Sequence, residues 1–370
     1  MSFRLAVAAG GTGGHFYPGV AVLEALRATG DVEALFVGTE RGIEAKKVPA
    51  MGERLLALDV APLNGVSALA KFKSLSRLPR AVFAASRALK SFAPHALLSV
   101  GGYASGPATL AAIARGIPVV VVEPNAIAGM TNRIVGRWVH RACVSFDETR
   151  RYFRSDAVRV TGSPVRQAFL ERAERAAFLH TESHADGAEF QLLVLGGSQG
   201  ARALNDAVPD AIAALKTRGL AVRVLHQTGE RDLETVRARY SAMGLDGEAE
   251  TTAFVDDVAS AMAQADLVIC RGGAGTVSEL CVMGRAALYV PLPSAADDHQ
   301  RKNAEAIAAR GAGECLLQRD LTAISLADRV EYHFARRDEL RAMHARAREL
   351  GRPHAAHDVA VELRALARKS

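Results

Sequence analysis

The feature that most constrains this chain is one alternation run through twice: short apolar, β-branched segments separated by longer amphipathic ones. In the first half the apolar segments predict strands at 5–9, 35–37, 55–60, 97–100, 119–123, 143–146 and 158–161. In the second half they predict strands at 192–195, 222–226, 252–255, 267–270, 288–291 and 315–318, followed by Ala/Arg/Leu-rich helices over 326–369. Several of these segments are hydrophobic throughout, the pattern of parallel strands covered on both faces. The stretches between them are long enough for right-handed helical crossovers. The expectation is an α/β chain of two doubly wound domains, and 370 residues suit two domains of roughly 100–200 residues each. Both halves open alike, as Ala9-Gly10-Gly11-Thr12 and Leu195-Gly196-Gly197-Ser198. Facing one another, two such domains would bring their glycine turns to a shared cleft, because ligands bind beyond the carboxyl ends of the strands.

Charge and composition narrow the partners. A net charge of +6 and a pI near 9.3 suit nucleic acid, anionic lipid or a phosphorylated substrate. Aromatics are only 5% and do not interleave with the basic runs, which argues against RNA stacking surfaces. No stretch reaches the roughly 20 unbroken apolar residues of a membrane helix. The apolar run after Met1-Ser2-Phe3-Arg4 is about six residues, too short for a signal-peptide core, so a cytosolic location is expected. Cys143, Cys270, Cys281 and Cys315 show no CxxC spacing and read as reduced core thiols.

Four glycine-rich turns follow predicted strands: Gly10-Gly11-Thr12-Gly13-Gly14, Gly101-Gly102-Tyr103-Ala104-Ser105-Gly106, Gly196-Gly197-Ser198-Gln199-Gly200 and Gly272-Gly273-Ala274-Gly275-Thr276. Glycine lets backbone N–H groups approach an anion, and the following helix points its positive end there. Four turns in one chain point to a phosphate-bearing ligand. None carries G-x-G-x-x-G or the P-loop pattern. Glu40 reads as a helix N-terminal carboxylate in Thr39-Glu40-Arg41-Gly42 rather than as a ribose-binding acid.

Side chains beside these turns supply the chemistry. His15 directly follows the first turn; it is either structural or, beside bound substrate, a general base titrating near neutrality. Glu279 falls early in the helix after Gly272; it either grips two ribose hydroxyls or complements the helix dipole. Asp297-Asp298-His299-Gln300-Arg301-Lys302-Asn303 is dense in groups that hydrogen-bond sugar hydroxyls, and with no second ligand cluster in the sequence no metal is expected. Between 67 and 92, Phe72, Leu75 and Phe83 lie among Lys71, Lys73, Arg77 and Arg80, with no acid between Leu63 and Ala93. That segment reads either as a membrane-surface patch or as a helix with its apolar side on the core.

Together these segments resemble the MurG-type glycosyltransferases, the UDP-N-acetylglucosamine–undecaprenyl-pyrophosphoryl-muramoyl-pentapeptide N-acetylglucosaminyltransferases of peptidoglycan synthesis. The resemblance spans nearly the whole chain, through the four turns and Asn125-Ala126-Ile127-Ala128-Gly129-Met130-Thr131-Asn132, Gly162-Ser163-Pro164-Val165-Arg166, His226-Gln227-Thr228-Gly229 and Phe254-Val255-Asp256-Asp257. It implies the GT-B fold: two Rossmann-like domains with parallel sheets facing a deep cleft, an acceptor and membrane-associating domain at 1–163, a UDP-sugar domain at 164–344, and a last helix at about 345–370 packing back on the first domain.

It also implies that Ser198, Val255, Gly273, Ala274, Gly275, Thr276, Val277, Ser278, Glu279 and Gln300 hold UDP-GlcNAc, with Arg166 at the hinge and Thr12, Gly13, Gly14 and Asn125 approaching from the first domain. His15 would be the base for inverting transfer to the 4-hydroxyl of the lipid-linked muramoyl sugar, with no cofactor and no nucleic acid, at the cytoplasmic face of the membrane. The family commonly has His-Glu-Gln-Asn where this chain has Val122-Glu123-Pro124-Asn125; proline removes an amide side chain and a backbone donor. Two rival readings are a diacylglycerol sugar transferase, which shares the fold and the turns, and a dinucleotide-binding protein, which the missing fingerprint disfavours.

Overall fold

The computed structural model describes residues 2–60, 68–179, 189–197 and 200–368, with side chains left out at 68–75 and 175–179. The expected exposed loop at 181–187 and the expected donor contact Ser198 lie outside the described residues. The chain divides into two compact units, Met1–Arg166 with Arg352–Ser370, and Gln167–Gly351. The sequence places these divisions at 163/164 and 344/345; the second of these falls inside the helix Arg337–Leu350, which lies within the second unit.

In the first unit, β1 (Phe3–Ala9), β2 (Val32–Gly38), β3 (Arg54–Ala57), β4 (Ala96–Gly101), β5 (Val119–Glu123), β6 (Arg141–Val144) and β7 (Val158–Val160) form a sheet in the order β3-β2-β1-β4-β5-β6-β7. All its pairings are parallel. Helices α1 (Gly13–Arg27), α2 (Glu44–Ala50), α3 (Ala68–Phe92), α4 (Ser105–Ala114) and α5 (Met130–Val135) connect the strands.

The period-2 alternation of β1 divides the core. Leu5, Val7 and Ala9 pack with Phe16, Leu23 and Leu26 of α1, while Ala6 and Ala8 pack with Ala85 and Leu89 of α3, Ala108 of α4 and Val135 of α5. The chain's last helix, at Ala355–Ala367, joins the α1 side through Val359, Ala360, Leu363 and Leu366. Full burial of each such leucine or valine contributes about 1.5–3 kcal/mol. Glu362 of this helix pairs with Arg141 at 2.7 Å and Arg159 at 3.3 Å.

In the second unit α6 (Gln167–Leu179) leads into β8 (Phe190–Leu195), β9 (Val222–Gln227), β10 (Ala249–Thr252), β11 (Leu267–Cys270), β12 (Ala287–Tyr289) and β13 (Glu314–Cys315), in the order β10-β9-β8-β11-β12-β13. These pairings too are parallel. The helices are α7 (Arg202–Thr217), α8 (Leu233–Ala242), α9 (Val258–Gln264), α10 (Ala274–Met283), α11 (His299–Ala308), α12 (Ala323–Ala335) and α13 (Arg337–Leu350); α14 is the last helix already described. Two strands differ from expectation: β10 begins three residues earlier than 252–255, and β13 covers Glu314–Cys315 rather than 315–318. Both are edge strands with half-exposed residues, so burial there imposes little apolar signal. Cys143, Cys270 and Cys281 are buried and Cys315 half-buried, all as free thiols; burial pushes the Cys143 thiol up to about 12.

Candidate active site

In each sheet the strand order reverses between two neighbours, β1 and β4 in the first unit and β8 and β11 in the second. That reversal opens a crevice at the carboxyl ends of those strands, where open α/β sheets bind ligands. The four glycine turns follow these four strands and no others. The helices that begin there, α1, α4, α7 and α10, lack a side-chain cap, as do α2, α5, α8, α11, α13 and α14, while α9 and α12 are capped by Asp257 and Thr322. A helix start without a cap presents its first-turn N–H groups to a ligand.

The two turns of the first unit are in contact. Gly102 has φ +83°, and a Cβ there would stand 2.7 Å from the Gly10 carbonyl oxygen, so no larger residue fits. The half-buried His15 imidazole lies over this second turn, 3.5 Å from that Cβ position and 3.4 Å from the one at Gly101. Thr12 occupies the N-cap of α1, yet its Oγ1 bonds His15 Nδ1 at 3.0 Å instead of capping the helix. Gly13 and Gly14 open the same helix, and a Cβ on Gly13 would meet the Tyr17 ring at 3.2 Å. The Arg166 guanidinium stacks 4.9 Å from that ring's centroid, so Thr12, Gly13, Gly14, His15 and Arg166 are gathered at one helix start.

A buried carboxylate holds the first of these turns, the Ser105 and Thr131 hydroxyls donate to the Gly102 carbonyl of the second at 2.8 and 3.2 Å, and another buried carboxylate fixes the loop after β5. Glu44 accepts the Gly11 N–H at 3.0 and 3.1 Å, the Thr39 N–H at 2.7 Å and the Thr39 hydroxyl at 2.9 Å. It is also the acid in the first turn of α2, while Glu40 is exposed and precedes that helix; this corrects the expectation for Glu40. Glu123, at the end of β5, accepts from Asn125 N and Nδ2, both at 3.0 Å, from Gly129 N at 2.8 Å and from Asn132 Nδ2 at 2.9 Å. Burial raises its pKa, and those four hydrogen bonds oppose the rise. Asn125 is thereby fixed through its amide, and Asn132 lies beside Gly101.

In the second unit the turns are held by amides. Gln227 donates from Nε2 to the Gly197 carbonyl at 3.0 Å and accepts the Val255 N–H on Oε1 at 3.2 Å. Asn303, fully buried, donates to the Gly272 carbonyl at 3.1 Å. A Cβ on Gly272 would sit 2.3 Å from the Gln300 carbonyl oxygen, while Gly273 and Gly275 face open space. The start of α10 at Ala274, Gly275, Thr276 and Ser278 is therefore approachable by a ligand, whereas the expected contact Val277 has its side chain buried. Glu279 lies in the helix's second turn, half-buried, beyond the first turn where the dipole is felt. Gln300 Oε1 accepts the Leu292 N–H at 3.0 Å, tying α11 to the loop after β12. Asp297 and Asp298 lead into α11 with φ +53° and +55°, a conformation aspartate tolerates better than most residues. His226 is buried between Tyr240 Oη at 3.0 Å and Asn205 Oδ1 at 3.2 Å, and burial lowers its pKa to about 3.

On α3, Arg77 pairs with Asp59 at 2.8 Å, and Arg80 is exposed; the side chains of Lys71, Phe72, Lys73 and Leu75 lie outside the described residues. Phe83 is 74% exposed, while Ala81, Ala85, Leu89 and Phe92 form the stripe on the core. Sequence reasoning missed a second exposed ridge. Met130, Ile134 and Trp138 stand at i, i+4 and i+8 beside exposed Arg133 and Arg137, and Ile134 and Trp138 are 55% and 51% exposed. The 130–138 spacing was visible in the sequence. Glu44, Gln227 and Asn303 carried no such local signal.

Residues 5–144 match the glycosyltransferase family 28 N-terminal domain and residues 191–359 its C-terminal domain. The chain is 40% identical over 360 residues to the UDP-N-acetylglucosamine–N-acetylmuramyl-(pentapeptide) pyrophosphoryl-undecaprenol N-acetylglucosamine transferase of Syntrophus aciditrophicus, covering 97% of each. It is 40% identical to the like-named protein of Geobacter sulfurreducens, covering 99% of each. The crystal structure of MurG from Acinetobacter baumannii superposes with a TM-score of 0.80 at 30% identity, over 98% of this chain and 99% of that one. A UDP-GlcNAc 2-epimerase from Neisseria meningitidis, at 14% identity and a TM-score of 0.68, shares the fold alone. Two parallel-sheet α/β domains of this kind are GT-B-like, and the chain belongs to the family of UDP-N-acetylglucosamine–N-acetylmuramyl-(pentapeptide) pyrophosphoryl-undecaprenol N-acetylglucosamine transferases.

Proposed function

We propose that this chain transfers N-acetylglucosamine from UDP-GlcNAc to the 4-hydroxyl of undecaprenyl-pyrophosphoryl-MurNAc-pentapeptide, forming a β1→4 bond with inversion in peptidoglycan synthesis. Full-length relatedness to transferases of that name supports the reaction. The observation that carries the division of labour is how the turns are held. In the second unit Gln227 and Asn303 donate into turn carbonyls and bring no charge, which leaves the start of α10 to meet the diphosphate of UDP. In the first unit a carboxylate already takes the Gly11 N–H, and its negative charge makes that turn a poor diphosphate site.

The donor reading assigns Ser198, Val255, Gly273, Ala274, Gly275, Thr276, Val277, Ser278, Glu279 and Gln300 to UDP-GlcNAc. Thr12, Gly13, Gly14, Asn125 and Arg166 complete the site on the first unit. His15 is the base. In the tautomer whose Nδ1–H donates to Thr12 Oγ1, Nε2 accepts the proton of the acceptor's 4-hydroxyl as that oxygen attacks C1 of GlcNAc and the C1–O bond to UDP breaks. The leaving UDP takes its new charge on the diphosphate, where helix-start N–H groups stabilise it. Incubation with radiolabelled UDP-GlcNAc and lipid-linked muramoyl-pentapeptide should yield labelled disaccharide lipid. Label transferred instead to diacylglycerol would favour the rival lipid transferase.

The membrane reading rests on two basic and apolar surfaces. Arg80, Phe83 and Arg87 are exposed on α3, and Met130, Ile134 and Trp138 with Arg133 and Arg137 on and after α5. Both helices cover the same face of the first sheet, packed on either side of α4. Arginines flanking exposed aromatics suit an anionic lipid surface at the cytoplasmic face. Binding to anionic vesicles should fall as salt rises. Replacing Lys71, Lys73, Arg77 and Arg80 with Gln, or Ile134 and Trp138 with Ser, should remove most of it; vesicle binding unchanged in both variants would overturn the assignment.

A further inference from the structure

Away from the glycine turns, the second unit holds a basic cavity of about 180 Å³ at the opposite, amino-terminal end of its strands. Asp266, just before β11, and Gly284-Arg285, just before β12, form its floor, and one side of α13 forms its wall. On that wall Arg337, Arg341, His344 and Arg348 stand at i, i+4, i+7 and i+11, a single stripe. The core side of the helix is Leu340, Met343 and Ala347; of the basic stripe, Arg337 also stacks on the Phe190 and Phe334 rings at 4.4 and 5.1 Å, while Arg341 and Arg348 are exposed.

The local charge is unbalanced. Four guanidiniums against the Asp266 carboxylate leave three positive charges, or two once the exposed Asp338 paired with Arg341 is counted. Asp266 is itself engaged, accepting the Gln191 N–H at 2.7 Å and pairing with Arg337 at 3.3 Å. Arg285 is almost fully buried and donates to the Ala263 carbonyl. Its burial, with the nearby Arg348 charge, lowers its pKa to about 10 against the opposing pull of Asp266. Arg348 lies across Gly284, where φ is +61° and a Cβ would stand 2.6 Å from its Nε; glycine at 284 lets the guanidinium settle there. His344 Nδ1 accepts the Ala286 N–H at 2.8 Å, so its other ring nitrogen carries the proton and is a donor. Converging like charges in a partly enclosed space repel unless a counter-anion joins them, and guanidinium forks match phosphate oxygens in geometry.

We propose that this cavity is a binding site for a small, multiply charged phosphate anion, either inorganic phosphate or pyrophosphate or the phosphate group of a larger metabolite. An excess of two or three positive charges calls for a multiply charged anion rather than a monocarboxylate, and the volume admits one or two phosphate groups. The site is separate from the UDP-sugar residues, being at the other end of the sheet.

The test is calorimetric titration of the full chain with pyrophosphate, then phosphate and acetate, in saturating UDP so that the donor site is occupied. One further site is expected for pyrophosphate or phosphate and not for acetate. Its affinity should fall about tenfold or more in Arg341→Gln/Arg348→Gln. It should be lost in Ala345→Glu, an exposed position whose new carboxylate would occupy the mouth, with circular dichroism reporting that the variant is folded. Glu279→Ala should keep it. Absence of a pyrophosphate or phosphate site in the wild type with UDP present, or equal affinity in both cavity variants, would overturn the proposal. Comparable acetate binding would overturn the phosphate assignment.

Discussion

A carboxylate holds the first glycine turn of the first unit, hydroxyls hold its second, and amides hold the turns of the second unit. Glu44 consumes a backbone N–H of its turn; Gln227 and Asn303 consume backbone carbonyls. The strand order around the switch point is otherwise the same in both sheets. One backbone solution thus yields two electrostatic outcomes: a turn pair with one negative support and an imidazole over it, and a turn pair whose supports are both neutral and whose α10 start is open. The comparison teaches that the topology sets where ligands go, while the groups behind the turns set which charge is welcome.

The sharpest way to break this comparison is His15→Ala. General-base help is commonly worth about 10²–10⁴-fold, so kcat should fall at least about 100-fold while UDP-GlcNAc affinity barely moves. Steady-state kinetics with direct UDP binding decides it; a collapse of donor binding would move His15 into the donor site and erase the division between units. Next comes Glu279→Ala in the other unit. Loss of a charge-assisted hydrogen bond costs about 1.5–3 kcal/mol, or roughly 10–100-fold in the KM for UDP-GlcNAc, with thermal unfolding unchanged. Gln300→Ala should act in the same direction, with some loss from the freed Leu292 loop contact.

A third change tests the supports themselves. Glu44→Gln leaves the Gly11 and Thr39 donors facing an amide that can accept with only one oxygen, and should cost about 1–3 kcal/mol of stability. Urea unfolding would measure it, and an unchanged midpoint would mean that the carboxylate does not hold the turn. The smallest effect concerns pH. His226 is neutral in the folded protein down to about pH 3, whereas in the unfolded chain it takes up a proton near 6.5. Between those values the unfolded state binds the extra proton, so this contribution to stability is intact above about pH 6.5 and is lost as pH falls. The slope is about 1.4 kcal/mol per pH unit. Denaturation at pH 5.5 and 4.5 should show a difference close to that in the wild type and a shallower one in His226→Gln.

Much of the architecture was legible because its signals are local. Continuous apolar runs marked β1, β5 and β11, which are buried on both faces, whereas the half-exposed edge strands β10 and β13 were misplaced. Glycine turns announced themselves by composition, and His15 by standing next to one. The supports were not legible, since Glu44 reaches back 33 residues to Gly11 and Asn303 reaches back 31 to Gly272. A carboxylate in Glu44-Ala45-Lys46-Lys47 looks like any surface helix acid until the fold buries it.

The sequence by itself therefore determined the two rounds of α/β alternation, the four backbone turns and the residues beside them, because strand burial and glycine's conformational freedom act over a few neighbouring residues. Only the tertiary structure decided that the four turns fall at the two switch points, that Gly101 and Gly102 lie against His15, and which groups hold each turn. Parallel strands join segments far apart in sequence, so the contacts that set the charge of each turn exist only once the sheets have formed.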